Sequence, residues 1–475
     1  MNPKSKAKVG LFGIGLDTYW PQFKGLLERL EGYQQQIASK MEDFGAEVVN
    51  VGLVDNPKVA REKAQILKTE DVDILFLYVS TYALSSTVLP VVQKLKCPTI
   101  ILNIQPVAAI DYESFNKLGD RGKMTGEWLA DCQACSVPEL ANVFNRSGID
   151  YEFVTGYLDE QIVWDEIQDW IDATKVAKIM ANNRLGVLGH YYGGMLDVYS
   201  DLTKQSAAFG THIEILEMCE LKKYRDLVSD DELKAKVKEF YTTFKVADDC
   251  EIEEINRAAK TSIALDKLVE NHDLGSMAYY YEGETANEYE NIVTSVIAGN
   301  TLLTGKNVPV AGEYEVKNAQ AMKIMDAFGV GGSFSEFYAM DFNDDIVMLG
   351  HDGPAHFAIA EGNVQLVPLP VYHGKPGKGL SIQMTVKHGP VTLLSVVEGK
   401  DDVFLLVAEG DSVEGPVLQI GNTNSRYRFS KGARAFMNEW SKQGPSHHCA
   451  IGVGHIANKI DKLGNLLNLR VVRIC

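Results

Sequence analysis

The regular pattern of the chain begins with Val9-Gly-Leu-Phe-Gly-Ile-Gly15, a short apolar run typical of a buried β-strand. Similar runs follow at Ala46–Leu53, Asp73–Val79 and Thr99–Ile104. Between the runs, apolar residues recur at helical spacing in the segments Phe23–Phe44, Lys58–Thr69 and Tyr82–Leu95. Strands that alternate with helices predict βαβ units, and therefore an open α/β domain with a parallel sheet.

The alternation continues well beyond these first four strands. The pattern predicts a strand at Tyr151–Gly156, a long helix at Trp164–Asn182, and further strands at Leu185–Leu188, Ile213–Met218 and Met277–Tyr281. The 475 residues suffice for about three domains of roughly 150 residues each. We therefore expect two open α/β domains, residues 1–172 and 173–328, whose boundary lies near the long helix.

The pattern changes after residue 328, where short alternating runs are separated by Gly, Asp, Asn and Pro. These runs predict strands at Val364–Tyr372, Leu380–Lys387, Val391–Val397, Val403–Ala408 and Val417–Ile420. Residues 329–475 are therefore expected to form a third domain, mainly antiparallel β and barrel-like.

Charge and hydropathy exclude several classes of partner. The chain has 46 basic and 64 acidic residues, a net charge of −18, which repels phosphate backbones and anionic lipids, so we expect no nucleic-acid or membrane partner. No apolar stretch approaches the about 18 residues of a membrane span. The start, Met1–Lys8, is polar and basic rather than signal-like. We expect a cytoplasmic protein.

The seven cysteines are scattered, which is typical of a reducing compartment rather than a disulfide framework. Cys132 and Cys135 have the C-x-x-C spacing, but no second pair completes a zinc site. We therefore interpret them as ordinary thiols.

Histidines are concentrated at the C-terminal end of the chain. Seven of the ten lie in the last 125 residues: His351, His356, His373, His388, His447, His448 and His455. Any single one is explained by chance, so the pattern becomes informative only together with carboxylates. Strict alternation places Glu336 on the strand face of Phe334 and Tyr338, where an ionised carboxylate is costly unless it is paired or metal-bound. The alternative is an edge strand from which the acid reaches water.

Glu313 follows a predicted strand and precedes a predicted helix, so it lies at the sheet edge where open α/β folds bind ligands. Alternatively, it is a first-turn acid that complements the helix dipole. His351 ends another predicted strand. Of the neighbours His447 and His448, at most one is expected to be a metal ligand, because adjacent residues of an extended backbone point in opposite directions. Two carboxylates and two imidazoles would suit Mn²⁺, Fe²⁺, Co²⁺ or Zn²⁺.

Four segments in this order resemble the metal-site segments of the L-arabinose isomerases and the related L-fucose isomerase-like enzymes. They are Gly312-Glu-Tyr-Glu-Val-Lys317, Ser333-Phe-Ser-Glu-Phe-Tyr338, Leu349-Gly-His351 and Ser446-His-His448. The segment Gly15-Leu-Asp-Thr-Tyr-Trp-Pro21 is similar to the loop that this family places after its first strand, near the sugar. The resemblance implies two α/β domains followed by a β-rich domain, which agrees with the boundaries predicted above.

The resemblance also implies a function and a set of site residues. It implies aldose–ketose isomerisation of a monosaccharide at a divalent metal, most often Mn²⁺, in a homo-oligomer of trimers or hexamers. Glu313 and Glu336 would bind the metal and also move protons, and His351 and His448 would complete the ligand set. The residues expected to bind the sugar are Asp17, Tyr19, Trp20 and His447.

This chain departs from the family at two places. The segment Ala134–Phe144 lacks the histidine with which arabinose isomerases reach a neighbouring subunit, which favours another aldose or ketose, for example a deoxy or branched sugar. His356 competes with His351 as the histidine ligand. The alternative function is a non-catalytic sugar-binding or regulatory protein on the same scaffold. A nucleotide site is disfavoured, since Gly13-Ile-Gly15 does not extend to a G-x-G-x-x-G motif.

Overall fold

A computed structural model describes residues 6–283, 286–372, 375–376 and 378–475. His373 is outside the described residues. The chain divides into two compact units, Met1–Lys178 and Ile179–Cys475, and each is described by itself. The division falls within the long helix near which the first domain boundary was predicted.

The first unit is built around a five-stranded parallel sheet with strand order β2-β1-β3-β4-β5. Its strands are β1 (Lys8–Ile14), β2 (Glu47–Val54), β3 (Ile74–Tyr78), β4 (Thr99–Gln105) and β5 (Tyr151–Tyr157). Its helices are α1 (Leu26–Asp43), α2 (Pro57–Thr69), α3 (Ser85–Leu95), α4 (Tyr112–Lys117), α5 (Arg121–Ala130), α6 (Val137–Ser147) and α7 (Gln161–Ala181), which continues past the unit boundary. All five residues of β3 are buried, as is typical of a central parallel strand.

The second unit begins with another parallel sheet, of order β10-β9-β6-β7. The strands of this part of the chain are β6 (Arg184–Gly189), β7 (His212–Leu216), β8 (Lys245–Val246), β9 (Ser276–Tyr280) and β10 (Val310–Ala311). The helices are α8 (Leu202–Phe209), α9 (Met218–Asp226), α10 (Asp230–Thr243), α11 (Ile252–His272), α12 (Glu290–Val293), α13 (Ile297–Thr304) and α14 (Val316–Ala327).

The rest of the second unit is mainly β-structure. Its strands are β11 (Gly331–Asp341), β12 (Ile346–His351), β13 (Gln365–Pro368), β14 (Val371–Tyr372), β15 (Lys375–Pro376), β16 (Leu380–Gln383), β17 (Gly389–Glu398), β18 (Val403–Val413), β19 (Thr423–Arg428), β20 (His448–Val453) and β21 (Arg470–Arg473). Two helices interrupt them, α15 (Ala433–Lys442) and α16 (Ala457–Leu467). Six antiparallel strands close into a barrel of order β17-β20-β11-β12-β19-β18, because β18 also pairs with β17. The predicted fold class is confirmed.

One predicted strand in this region is wrong. Residues 417–420 have no regular structure, and the strand begins later, at Thr423. The apolar letters of this segment resemble a buried strand, yet Ile420 is mostly exposed. The Asn424 side chain instead accepts a hydrogen bond from the backbone N–H of Leu418, which fixes the segment as a loop.

A single hydrophobic core joins the barrel to helices of the preceding α/β part. It includes Phe240 and Phe244 of the helical layer as well as Leu393 and Trp440 of the barrel region. Helix α14 is buried from Val316 to Met325. The residues before and after the predicted 328/329 boundary form one compact unit because they bury this apolar surface together.

The strand register brings polar residues together at one end of the barrel. Glu336 of β11 pairs with Gly350 of β12 on one side and with His448 of β20 on the other. His351 follows Gly350 at the end of β12. Among the described residues, no helix combines the length and apolar character needed to cross a bilayer.

Candidate metal centre

Histidine and carboxylate side chains converge where several strands of the second unit begin or end. Glu313 follows β10, Glu336 lies in β11, His351 ends β12, and His447 and His448 lie at the start of β20. Two sets of possible metal ligands result, Glu313 with His447 and His448, and Glu336 with His351 and His448. Within each set, the ligand atoms lie within 4.8 Å of one another. The structure thus brings together all four residues that the sequence analysis named as ligands.

Glu313 is held in an unusual backbone conformation. Its φ is 55° and that of Tyr314 is 60°, left-handed values that L-residues adopt at a cost of about 1–3 kcal/mol each. The Glu313 side chain is buried, and its Oε2 lies 3.5 Å from Nε2 of both His447 and His448. Oε2 makes no hydrogen bond with any described residue. A buried carboxylate oxygen that faces two imidazole nitrogens belongs to a donor set that suits a divalent cation.

His448 has one ring nitrogen committed to a carboxylate. Its Nδ1 lies 2.5 Å from Oε2 of Glu315, and both side chains are buried. An ionised carboxylate only accepts hydrogen bonds, so Nδ1 carries the proton and the lone pair of Nε2 faces Glu313. Carboxylate–histidine pairs of this kind orient metal-binding imidazoles in proteins. The donor set therefore fits a divalent metal.

Glu315 was missed by the sequence analysis. It lies in the same Gly312–Lys317 segment as Glu313, but it is also the N-cap residue of α14, a position where acids commonly occur for structural reasons. Two signals could have identified Glu315. It lies two residues after Glu313, and it precedes a helix that is buried.

His351 belongs to the cluster, whereas His356 does not. The His351 Nε2 lies 3.9 Å from Glu313 Oε1, and its ring packs against Phe334. Its Nδ1 accepts a hydrogen bond of 2.7 Å from the backbone N–H of Gly353. A neutral ring that binds a metal through Nε2 carries its proton on Nδ1, so metal binding through Nε2 would replace this hydrogen bond. His356 is buried outside both ligand sets, and burial lowers its pKa.

The prediction that His447 and His448 point in different directions is wrong. Their ring centroids are 3.8 Å apart, and Nε2 of each lies 3.5 Å from Glu313 Oε2. Strand alternation does not apply because β20 starts at His448, so His447 has loop conformation. The His447 Nδ1 lies 2.6 Å from Oδ2 of Asp197. Although burial lowers the pKa of His447, the adjacent carboxylates of Glu313 and Asp197 outweigh it and raise the pKa to about 9.

Asp197 is a second residue that the sequence analysis missed. It also accepts a hydrogen bond from the backbone N–H of His447, at 3.0 Å. The buried Lys317 side chain donates to the backbone carbonyl oxygens of Asp197 and Tyr199, and so anchors the loop that follows β6. Asp197 lies in an irregular loop, 250 positions before its partner His447, so no periodic pattern in the sequence indicates this contact.

A cleft adjoins Glu313 and His351. Its lining combines aromatic, apolar and polar side chains: Tyr192, Tyr279, Tyr280, Val296, Ile297, Asn300, Gly312, Glu313, His351, Asp352, Gly353 and Pro354. A concave site that combines apolar walls with a few polar groups is typical of small-molecule binding.

The N-terminal residues expected to contact a sugar belong to the first unit. Asp17 and Tyr19 form a 3₁₀ turn after β1, and the Trp20 Nε1 donates a hydrogen bond of 2.8 Å to Asp55. The Tyr19 ring packs edge-on against Trp20, and desolvation raises the pKa of Tyr19. Their role in sugar binding stays a prediction.

Known proteins similar to this chain include sugar isomerases. A sulfoquinovose isomerase of Alkalicoccus urumqiensis is 20% identical over 340 residues, which cover 70% of this chain and 74% of the relative. A sulfoquinovose isomerase of Priestia aryabhattai is also 20% identical, over 69% of this chain and 73% of the relative. No family model matches the chain. The chain is thus related, at low identity, to isomerases named for a sugar.

Solved structures give no further guide. A periplasmic solute-binding protein of Actinobacillus succinogenes 130z with bound D-allose is 12% identical, covers 58% of this chain and 78% of its own, and has a TM-score of 0.17. A UDP-N-acetylglucosamine 2-epimerase of Rickettsia bellii has a TM-score of 0.14, with 9% identity over 64% of this chain and 78% of its own. Neither likeness carries a structural argument.

Proposed function

We propose that this protein is a metal-dependent aldose–ketose isomerase of the arabinose isomerase-like kind, which acts on a monosaccharide through an enediolate. The observation that carries the proposal is the pair of overlapping candidate ligand sets that share His448, one with Glu313 and His447 and the other with Glu336 and His351. The similarity to sulfoquinovose isomerases supports a sugar as the substrate.

Glu313, Glu336, His351 and His448 would hold the divalent cation, which we propose to be Mn²⁺. Mixed carboxylate and imidazole ligands suit this ion and its first-row neighbours. When bound, the cation supplies Lewis-acid stabilisation of negative charge that develops on the two sugar oxygens. Glu315 would keep Nε2 of His448 free of a proton and aimed at the site.

Glu313 and Glu336 would act as the acid–base pair. Isomerisation removes a proton from one sugar carbon and returns a proton to the neighbouring carbon, with an enediolate between the two steps. A carboxylate can perform each transfer, and the roles reverse with the direction of the reaction. The Nε2 of His447 lies 3.5 Å from Glu313 and 3.9 Å from Glu336, which supports a role between them.

His447 would bind the sugar rather than the metal. Its Nδ1 lies 2.6 Å from Asp197 Oδ2 and its Nε2 lies 3.5 Å from Glu313 Oε2, so both ring nitrogens are placed to donate hydrogen bonds when the ring is protonated. Its Nε2–H could therefore hold a sugar oxygen that becomes negative during the reaction. In the same proposal Asp17, Tyr19 and Trp20 contribute to the sugar site, and the enzyme is a cytoplasmic homo-oligomer, a trimer or a hexamer.

The test combines metal analysis with turnover. Metal-stripped protein is reconstituted with Mn²⁺, and aldose–ketose interconversion is followed for a panel of sugars. Glu313→Gln and Glu336→Gln should each lower kcat by at least about 100-fold with the fold intact. The exposed Glu414→Gln serves as a matched control. Absence of bound divalent ion under every reconstitution condition would overturn the proposal, and sugar binding without interconversion would favour a non-catalytic binder.

A further inference from the structure

Two cysteines share the turn that connects α5 to α6 in the first unit. Cys132 and Cys135 lie three residues apart there, and both are free thiols. Their surroundings differ, because only 2% of Cys132 is exposed whereas Cys135 is open to solvent. The C-x-x-C spacing alone predicted ordinary thiols, and the structure adds this contrast in exposure. The contrast matters because thiol–disulfide exchange starts at an accessible sulfur and ends at a second sulfur within its reach.

Hydrogen bonds hold this turn against the segment that follows β3. Gln133, between the two cysteines, is buried, and its Nε2 donates a hydrogen bond of 3.0 Å to the backbone carbonyl oxygen of Ser80. Ser136 is also buried, and its Oγ accepts a hydrogen bond of 2.9 Å from the backbone N–H of Ala83. The chain is therefore fixed on both sides of Cys135 before any reaction, so little conformational entropy is lost when the two sulfurs join.

The two cysteine side chains interact within the turn. The pKa of the Cys132 thiol is raised to about 12, first by desolvation and then by a side-chain hydrogen bond to Cys135 and by the charge of Cys135. A hydrogen bond from the backbone N–H of Cys135 acts in the opposite direction and lowers the pKa of Cys132. Once the Cys135 sulfur is part of a mixed disulfide, it carries no charge, so its contributions that raise the pKa of Cys132 are lost. Cys132 thus becomes a better nucleophile after Cys135 has reacted.

We propose that Cys132 and Cys135 form a reversible dithiol–disulfide site whose oxidant is a small disulfide of the glutathione class. The Cys135 thiolate attacks one sulfur of the small disulfide, forms a mixed disulfide, and releases one thiol. The Cys132 thiol then loses its proton and attacks the Cys135 sulfur, which releases the second thiol and leaves a Cys132–Cys135 disulfide. Two electrons pass from the protein to the small disulfide, and the two cysteine protons end on the two released thiols. Neither cysteine belongs to a candidate ligand set, so this chemistry is separate from the proposed isomerisation.

Glutathione redox buffers test the proposal. Full-length protein is equilibrated with mixtures of reduced and oxidised glutathione, quenched with acid, alkylated and digested, and the peptide that contains both cysteines is analysed by mass spectrometry. We expect wild type to form the internal disulfide. It should carry glutathione on Cys135 at less than about one-tenth of the level in Cys132→Ser, because only wild type has the sulfur that displaces it. A persistent glutathione adduct on wild-type Cys135, a disulfide between two copies, or no oxidation of either cysteine would overturn the proposal.

Two further variants separate the roles of the cysteines. Cys135→Ser should slow the reaction of Cys132 with oxidised glutathione by at least about tenfold relative to wild type, because the remaining sulfur is buried. Cys219→Ser removes an exposed cysteine outside the motif and is the matched control, in which the internal disulfide should form as in wild type. Circular dichroism checks that each variant is folded, and the wild-type measurement is decisive without them. Reaction of Cys132 in folded Cys135→Ser at the wild-type rate would overturn the order of attack.

Discussion

Glu315 Oε2 lies 2.5 Å from His448 Nδ1, and protein encloses both side chains completely or almost completely. This pair determines which nitrogen of His448 is available to the candidate metal centre. Glu315 is not itself a candidate metal ligand, since neither ligand set includes it. It is a positioning residue whose effect is transmitted through an imidazole ring.

The Glu315→Gln variant should bind Mn²⁺ about 10- to 100-fold more weakly, because a neutral amide neither fixes the Nδ1–H tautomer nor increases the basicity of Nε2. Metal affinity is measured by isothermal titration of stripped protein. Glu315→Asp should recover part of the affinity, and Glu414→Gln at an exposed position should behave as wild type. Wild-type affinity in a folded Glu315→Gln protein would contradict the positioning role.

The Asp197→Asn variant should lower the pKa of His447. In the metal-free protein this pKa is raised to about 9, since the adjacent carboxylates of Glu313 and Asp197 outweigh the opposing effect of burial. Loss of one nearby negative charge should lower it by about one unit or more. The measurement is an NMR titration of labelled histidine, with His447→Gln to assign the signal and the exposed Asp401→Asn as control. A midpoint that does not move would show that Glu313 alone keeps the ring protonated.

The Gly353→Ala variant should weaken metal binding without unfolding the second unit. A Cβ at this position would lie 2.7 Å from Nδ1 of His351, so the imidazole must shift. A displacement of a metal ligand by some tenths of an ångström should reduce affinity by about tenfold. Gly32→Ala on α1 meets no atom within 4 Å and serves as the control. Equal Mn²⁺ affinity in both variants would argue against His351 as a ligand.

His272 should make stability depend on pH independently of the candidate site. Its Nε2 and Nδ1 lie 3.0 Å from Glu220 and Glu214, and these hydrogen bonds raise its pKa above 6.5 despite partial desolvation. The folded-state pKa is raised, so the contribution to the free energy of unfolding is complete below about pH 6.5. It is lost as the pH rises through the higher folded-state value.

Urea unfolding at pH 6 and pH 9 measures this contribution. At pH 6 the free energy of unfolding of wild type should exceed that of His272→Gln by about 1 kcal/mol or less, since the side chain is partly exposed. This difference between the two proteins should be smaller at pH 9. The exposed His388→Gln should show no such change. A difference that grows with pH would contradict the assigned direction.

The alternation of apolar runs and helical segments was sufficient to predict the parallel sheets. Buried parallel strands need continuous apolar residues, so β1 and β3 were found within a residue of their observed bounds. The same apolar pattern did not distinguish strands from loops of similar composition, as the segment 417–420 shows. Whether such a segment pairs depends on a partner strand that is distant in sequence.

The sequence by itself determined the fold class, and it nominated Glu313, Glu336, His351 and His448, because strand ends and resemblance depend on local patterns. Only the tertiary structure decided which atoms meet. The register of β11, β12 and β20 brings Glu336, His351 and His448 together. Asp197, in the loop after β6, pairs with His447, and the buried Glu315 pairs with His448. Contacts between residues 133 and 250 positions apart arise from packing, and no local period in the chain records them.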